Sequence, residues 1–302
     1  MLTYRMPLTK FAGFDWRELR RLSKGLRFFP TRSTRHERDR FRVARCLVMT
    51  GMLVSCPFRL PASDKSPFTN QEQLEYVVKW DPPGWMFFIP EVTAGKLAFT
   101  VKEGAADEGS LVHRFQGSAI STSSLLKVND IFDSASQGTD LCSLRMLKRT
   151  HEGKRHREVE VQIDREKKTA RVVEKDLGVD PPKTLRDDTI KDFPVCATDL
   201  LGALYRARLF PFQPGGVYQI LLTDNGRTQE VTLKPIQKEY IKNEAGSFST
   251  QKVEVQSFFG GLFKQRGAFY IWFTEDARHL PVKFEMKVKL GKVYGNLVKV
   301  QE

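Results

Sequence analysis

The chain has 302 residues, with 49 Lys and Arg against 36 Asp and Glu, a formal net charge of +13. At 40% hydrophobic and 28% charged it falls outside the disordered and multi-span membrane classes, and it is long enough to bury a sizeable core. The excess charge would suit nucleic acid or an anionic membrane, but residues 1–56 alone hold 13 basic and four acidic side chains, which leaves the remainder near balance.

Residues 1–45 form a basic extension. Phe14, Leu19, Leu22 and Leu26 can share one helical face against Arg17, Arg20, Arg21, Lys24 and Arg27. A membrane-surface helix, an unfolded extension and a mis-assigned start, with Val43 as the true first codon, are the open readings. Residues 40–56 have the pattern of an export signal. Arg40-Phe41-Arg42-Val43-Ala44-Arg45 precedes about ten mostly apolar residues, too few to span a bilayer as a helix. The run ends in Leu53-Val54-Ser55-Cys56, which resembles a bacterial lipobox, where the cysteine is diacylated and becomes the mature N-terminus. Pro57 is unusual after such a cysteine. Cleavage near Ala62-Ser63 and a buried apolar strand are the competing readings. Residues 57–72, rich in Pro, Ser, Asp and Asn, read as a linker.

If Cys46 leaves with the signal and Cys56 is acylated, Cys142 and Cys196 remain. Export would place them where a disulfide persists, so a Cys142–Cys196 bridge is expected, with two free buried thiols as the alternative.

Residues 73–302 read as a single β-rich domain. Val159, Val161 and Ile163 alternate with Glu160 and Gln162; Val282, Phe284, Met286, Val288 and Leu290 alternate with Lys283, Glu285, Lys287 and Lys289. Asp224-Asn225-Gly226 predicts a type I′ hairpin turn. About eleven to thirteen strands fit between residues 74 and 300. Residues 198–209 instead have helical spacing, with Thr198 or Asp199 to cap the start and Pro211 to stop it; a second short helix is expected over residues 123–128. The fold class expected is mainly β: a large curved antiparallel sheet or partial barrel carrying one or two inserted helices.

Several stretches, in this order, resemble the bacterial family of unknown function DUF3108. They are Leu74-Glu75-Tyr76-Val77-Val78-Lys79-Trp80 with Ala94-Gly95, Lys127-Val128-Asn129-Asp130, and Glu152-Gly153-Lys154-Arg155-His156-Arg157-Glu158. Residues 205–215, Ala245-Gly246-Ser247-Phe248 and the run 271–282 complete the set. The resemblance implies an exported or lipid-anchored envelope protein with a fold similar to the half-barrels that carry lipoproteins or lipids across the periplasm. It implies no activity and no catalytic residue. The bulky insertion at residues 81–92 and the long N-terminal extension depart from the family pattern.

No metal or cofactor site is legible: there is no CxxC, HExxH or zinc-spaced Cys/His cluster. Gly153-Lys154-Arg155-His156-Arg157 reads as a solvated hairpin rim rather than a nucleic-acid patch, since aromatics for stacking are absent around it. Asp276-Ala277-Arg278-His279 reads as a strand-end turn. No nucleophile, base and oxyanion hole converge, so a non-catalytic protein is expected. The surplus lies in aromatics. Trp85, Phe87 and Phe88 in the insertion, Phe258, and Tyr270 and Trp272 are candidate groove residues, in runs apolar on both strand faces. Strands buried on both sides are the alternative for these runs. The expected function is binding or carriage of a hydrophobic ligand such as a lipid or acyl chain in the periplasm, with membrane attachment through Cys56. The alternative is an envelope assembly factor that works by protein–protein contact.

Overall fold

A computed structural model describes residues 66–105, 111–122, 127–257, 269–288 and 290–302. The basic extension, Cys56 and Phe258 lie outside the described residues, as does most of the helix expected over 123–128. Val128 itself forms an antiparallel bridge with Glu152.

Fourteen strands among the described residues build one antiparallel sheet. The first run is β1 (Gln73–Asp81), β2 (Val92–Ala105), β3 (Leu111–Ser121), β4 (Asn129–Gln137), β5 (Cys142–Glu152), β6 (Arg155–Asp164), β7 (Thr169–Asp176) and β8 (Lys183–Ile190). Helix α1 (Leu200–Ala207) follows, then β9 (Tyr218–Asp224), β10 (Arg227–Asn243), β11 (Gly246–Ser257), β12 (Phe269–Thr274), β13 (Pro281–Lys287) and β14 (Lys292–Gln301). Each run is a meander, and β1 pairs with β14 to join them, so the order is β8 through β1, then β14 back to β9. The sheet is not closed, because β8 and β9 remain edges. The seam is narrow: Arg186 Nη1 donates to the Asn225 carbonyl at 3.1 Å, and Thr198 makes a parallel bridge to Leu222.

Local chemistry explains these elements. Asn225 and Gly226 both have positive φ, 52° and 77°, as a type I′ turn between β9 and β10 demands. In β13, Val282 and Phe284 point inward while Lys283 and Lys287 point out, which is what period-two patterning requires. Strand β8, Lys-Thr-Leu-Arg-Asp-Asp-Thr-Ile, has no such pattern and carries the strand number past the expected range. It is almost wholly exposed and is held by backbone pairing to β7 and by cross-strand charge, Arg171 to Asp187 at 2.8 Å.

The helix packs on the inner face of the sheet, against β3, β4 and β9. Asp199 caps it: Oδ1 accepts from the N–H of Leu201 and Gly202, at 2.9 and 3.1 Å. Its other oxygen accepts the hydroxyls of Ser143 (2.6 Å) and Ser134, which ties the cap to β5 and β4. Cys196 and Cys142 are joined as a disulfide beside this cap, with Cα atoms 4.8 Å apart.

At the far end of the helix Arg208 is wholly buried. Its guanidinium forks onto Glu72, Nη1 to Oε1 at 2.5 Å and Nη2 to Oε2 at 2.8 Å; Nη2 also donates to the Pro67 carbonyl and Nε to that of Arg278. The cation sits 5.3–5.5 Å from the ring centres of Tyr205 and Phe68. Residues 67–72 are thereby fastened to the helix, and Phe68 packs edge-on against Phe115 and Tyr205. Burial pushes the Tyr205 hydroxyl pKa upward.

Candidate apolar ligand face

Antiparallel partners share a face, so register decides which side chains line up across the inner surface. One row runs across eight strands: Val92, Trp80, Val293, Met286, Phe269, Val255, Leu233 and Tyr218. Leu233 at the β10 end is buried. Val255, Phe269, Met286, Val293 and Trp80 are each only half-buried, and Val92 is 39% exposed. The next row inward is lower relief on one side, with Gly95, Val78 and Gly295 adjacent before Phe284, Ile271 and Val253. Glycine at 295 is required there, because a Cβ would lie 2.2 Å from the Phe284 ring. The result is an apolar band about six strands wide, half-buried across its middle and exposed at Val92, along the sheet end where β1 stops and β14 begins.

At that end lies the insertion. It is not a strand: Gly84–Met86 forms a 3-10 turn, and Trp85, Phe87 and Phe88 are 65%, 88% and 68% exposed. Pro82, Pro83 and Pro90 bracket the segment and deny it backbone donors, which explains why an apolar run fails to join the sheet. The Trp80 indole donates to the Leu290 carbonyl at 2.6 Å and so ties the root of this finger to the β13–β14 turn.

The expected groove residues therefore separate. Trp85, Phe87 and Phe88 are exposed in the connection between β1 and β2, at the end of the sheet where Trp80 and Val92 pair. Trp272 and Tyr270 point to the outer face, where Trp272 is 2% exposed. Its indole donates to Glu239 at 2.7 Å, and the Lys252 and Lys283 ammoniums lie 4.8 and 4.4 Å from its ring. Lys252 is also 4.7 Å from the Tyr270 ring. This is a packed outer layer, covered by the distal part of the β10–β11 hairpin through Ile241 and Phe248, and it leaves no groove at Trp272. Burial raises the Glu239 carboxyl pKa, but hydrogen bonds from Trp272, Gln237 and Lys252 outweigh it and hold the group below its ordinary value. Sequence reasoning missed Trp80, Val293, Met286, Phe269, Val255 and Val92. Phe269 lies in a run apolar on both faces and the others carry no local mark of a site, so only register brings them into one row.

Other clusters are polar. A cavity of about 400 Å³ on the outer face is lined by Asp81, Glu91, Lys283, Lys292 and Tyr294 among others, with charges of both signs. A second, of similar size, lies at His151 and His156 beside Lys127 and Asn129. Arg157 of the basic hairpin pairs with Asp176 and Glu174, as a solvated rim does. Asp276 forms a turn that receives Arg278, and His279 Nδ1 lies 2.6 Å from the Arg208 carbonyl. Among the described residues no group of three His, Cys, Asp or Glu side chains could hold a metal ion.

The family model for proteins of unknown function DUF3108 matches residues 75–298. No curated protein matches the sequence. Among solved structures, a β-barrel-like protein of the unknown-function family DUF1849 from Brucella abortus is similar in fold, with a TM-score of 0.51 and 12% identity, over 77% of this chain and 97% of that one. A candidate exported protein with a YmcC-like fold from Bacteroides fragilis aligns with a TM-score of 0.32 and 10% identity, over 78% of this chain and 97% of its own. A candidate lipoprotein from Parabacteroides distasonis gives 0.33 and 12%, over 77% and 96%.

Proposed function

The chain belongs to the DUF3108 family, and from that premise we propose that it binds a hydrophobic ligand, a lipid or acyl chain, on the inner face of its sheet, without catalysis. The observation that carries the reading is the half-buried row Trp80, Val293, Met286, Phe269 and Val255. These side chains are half-buried, with Val255 and Phe269 packed against the core cluster that holds Ile271 and Phe273, and their shared register makes a continuous strip. Covering one such side chain fully is worth about 1.5–3 kcal/mol relative to exposure, so a chain laid along several of them gains enough for stable binding. The reading places the protein in the cell envelope, attached through an acylated Cys56. The signal-like run that ends at Cys56 supports this placement, as does the Cys142–Cys196 pair, which suits an oxidising compartment.

The test is solvent extraction of the purified full chain followed by mass spectrometry, alongside titration with a fluorescent fatty acid. Co-purifying lipid, and probe binding weakened at least about tenfold by Met286→Glu, are expected. A clean extract with no probe binding overturns the proposal and favours protein–protein contact through the same surface. Unaltered binding by Met286→Glu would place the ligand elsewhere.

A further inference from the structure

In the finger at residues 84–89 Met86 is buried and Ile89 half-buried, while the three aromatic rings are exposed. Trp85, Phe87 and Phe88 present their rings to solvent at the sheet end where Trp80 and Val92 pair, and Phe87 and Phe88 meet each other edge-on at 5.8 Å. Nothing charged lies within the run Gly84-Trp85-Met86-Phe87-Phe88-Ile89-Pro90. The β13–β14 turn stands directly against its root. The Trp80 indole donates to the Leu290 carbonyl, Val288 N–H donates to the Gly291 carbonyl at 3.0 Å, and a Cβ at Gly291 would lie 2.0 Å from the Asp81 carbonyl oxygen. Leu290 is 41% exposed and Lys287 is exposed beside it. In sequence, residues 283–292 hold four lysines against the single Glu285. Lys292 is engaged with Asp81 at 3.3 Å and with Glu285 at 3.9 Å, and Lys283 with Glu285 at 3.7 Å, which leaves the exposed Lys287 as the described lysine nearest the turn.

We propose that the finger and this turn form a docking tip for an anionic phospholipid bilayer. Trp85, Phe87 and Phe88 enter the interfacial layer, and the lysine-bearing turn meets the headgroups. The chemistry matches the partner on two counts. Trp and Phe without buried polar partners are the side chains that settle at a bilayer interface, and lysines flanking an apolar tip add attraction to anionic lipid. The position matches on a third: the tip sits at the sheet end where the half-buried inner row reaches the exposed Val92, so docking would set that end of the ligand face against the source of lipid. The inference deepens the ligand-binding reading, yet the two fail separately, because fatty-acid binding is measured without vesicles.

The experiment uses the full chain with vesicles of phosphatidylcholine alone or mixed with phosphatidylglycerol, some carrying brominated acyl chains. Quenching of tryptophan fluorescence by bromolipid is compared between the wild type and Trp85→Phe, which keeps the tip apolar and removes one fluorophore. A quenched component that is lost in Trp85→Phe, and that needs phosphatidylglycerol at moderate salt, is the expected result. The difference spectrum isolates position 85 even if the basic N-terminal extension also binds the vesicle. Trp85→Ser/Phe87→Ser/Phe88→Ser should abolish the quenching attributable to the tip while its far-ultraviolet circular dichroism and thermal midpoint stay unchanged, since all three side chains are exposed. Quenching that is identical in wild type and Trp85→Phe overturns the proposal. So does concentration-dependent self-association that the triple substitution removes with no quenching at position 85, which would assign the tip to a second copy of the chain.

Discussion

Replacing Arg208 by methionine takes away the buried cation paired with Glu72. The two side chains are 0% and 1% exposed, so Glu72 would be left buried with neither water nor a counter-charge. Two charge-assisted hydrogen bonds to Glu72 vanish, and the Pro67 and Arg278 carbonyls lose their guanidinium donors as well. Removing one member of a buried pair costs about 3–5 kcal/mol, mostly the penalty of the stranded charge. A Coulomb term of about 4 kcal/mol for charges 4 Å apart at an effective dielectric of 20 agrees with that range. For a domain of this size each kcal/mol shifts the midpoint by about 2–4 °C, so a loss of about 10 °C is expected. The assay is urea and thermal unfolding of the oxidised full chain, followed by tryptophan fluorescence. Glu72→Leu/Arg208→Met should be less destabilised than the sum of the single changes, because no charge is then stranded. The carbonyls of Pro67 and Arg278 keep that recovery incomplete. A destabilisation below about 1 kcal/mol in Arg208→Met would refute the reasoning, since it would mean that water or another group satisfies Glu72 in the native state.

Asp199→Ala should cost about 2–4 kcal/mol, the helix cap plus two buried hydroxyls deprived of their acceptor, whereas Asp199→Asn should keep part of the cap; denaturant midpoints of the two variants check this. Replacing both Cys142 and Cys196 by serine opens a link across 54 residues and should lower stability by up to about 4 kcal/mol. Thiol alkylation with and without reductant shows whether the bond is present in the purified protein. Glu239 has a depressed pKa, so its contribution is complete above the ordinary carboxylate pKa of 4.5 and is lost as the pH falls through the lower folded value. Trp272 fluorescence should change in that acidic window in the wild type and lose the transition in Glu239→Gln.

Much of the architecture can be read locally. Alternation in β6 and β13, the Asn225-Gly226 turn and the Asp199 cap each follow from a few adjacent residues, because strand period, positive φ and unpaired helix N–H groups are properties of short segments. The family resemblance over residues 74–300 is likewise carried by the sequence and agrees with the matched span of 75–298. Strand β8 was illegible for the opposite reason. This edge packs only Ile190 against the core, so it has no hydrophobic period to display.

Tertiary structure alone decided the rest. In Phe269-Tyr270-Ile271-Trp272-Phe273 every position is apolar, and sequence cannot say which side faces the helix. Packing does: Ile271 and Phe273 join the core beneath α1, while Trp272 is covered from outside by the bent β10–β11 hairpin and held between two lysines. The Glu72–Arg208 pair joins residues 136 positions apart, with no local signature at either end. The inner row from Val92 to Tyr218 exists only through the registers of eight strands. Sequence determined the elements, their turns and the supply of aromatics. Long-range pairing determined which aromatics meet one another and which are left facing solvent, because burial depends on neighbours that the chain brings together only when it folds.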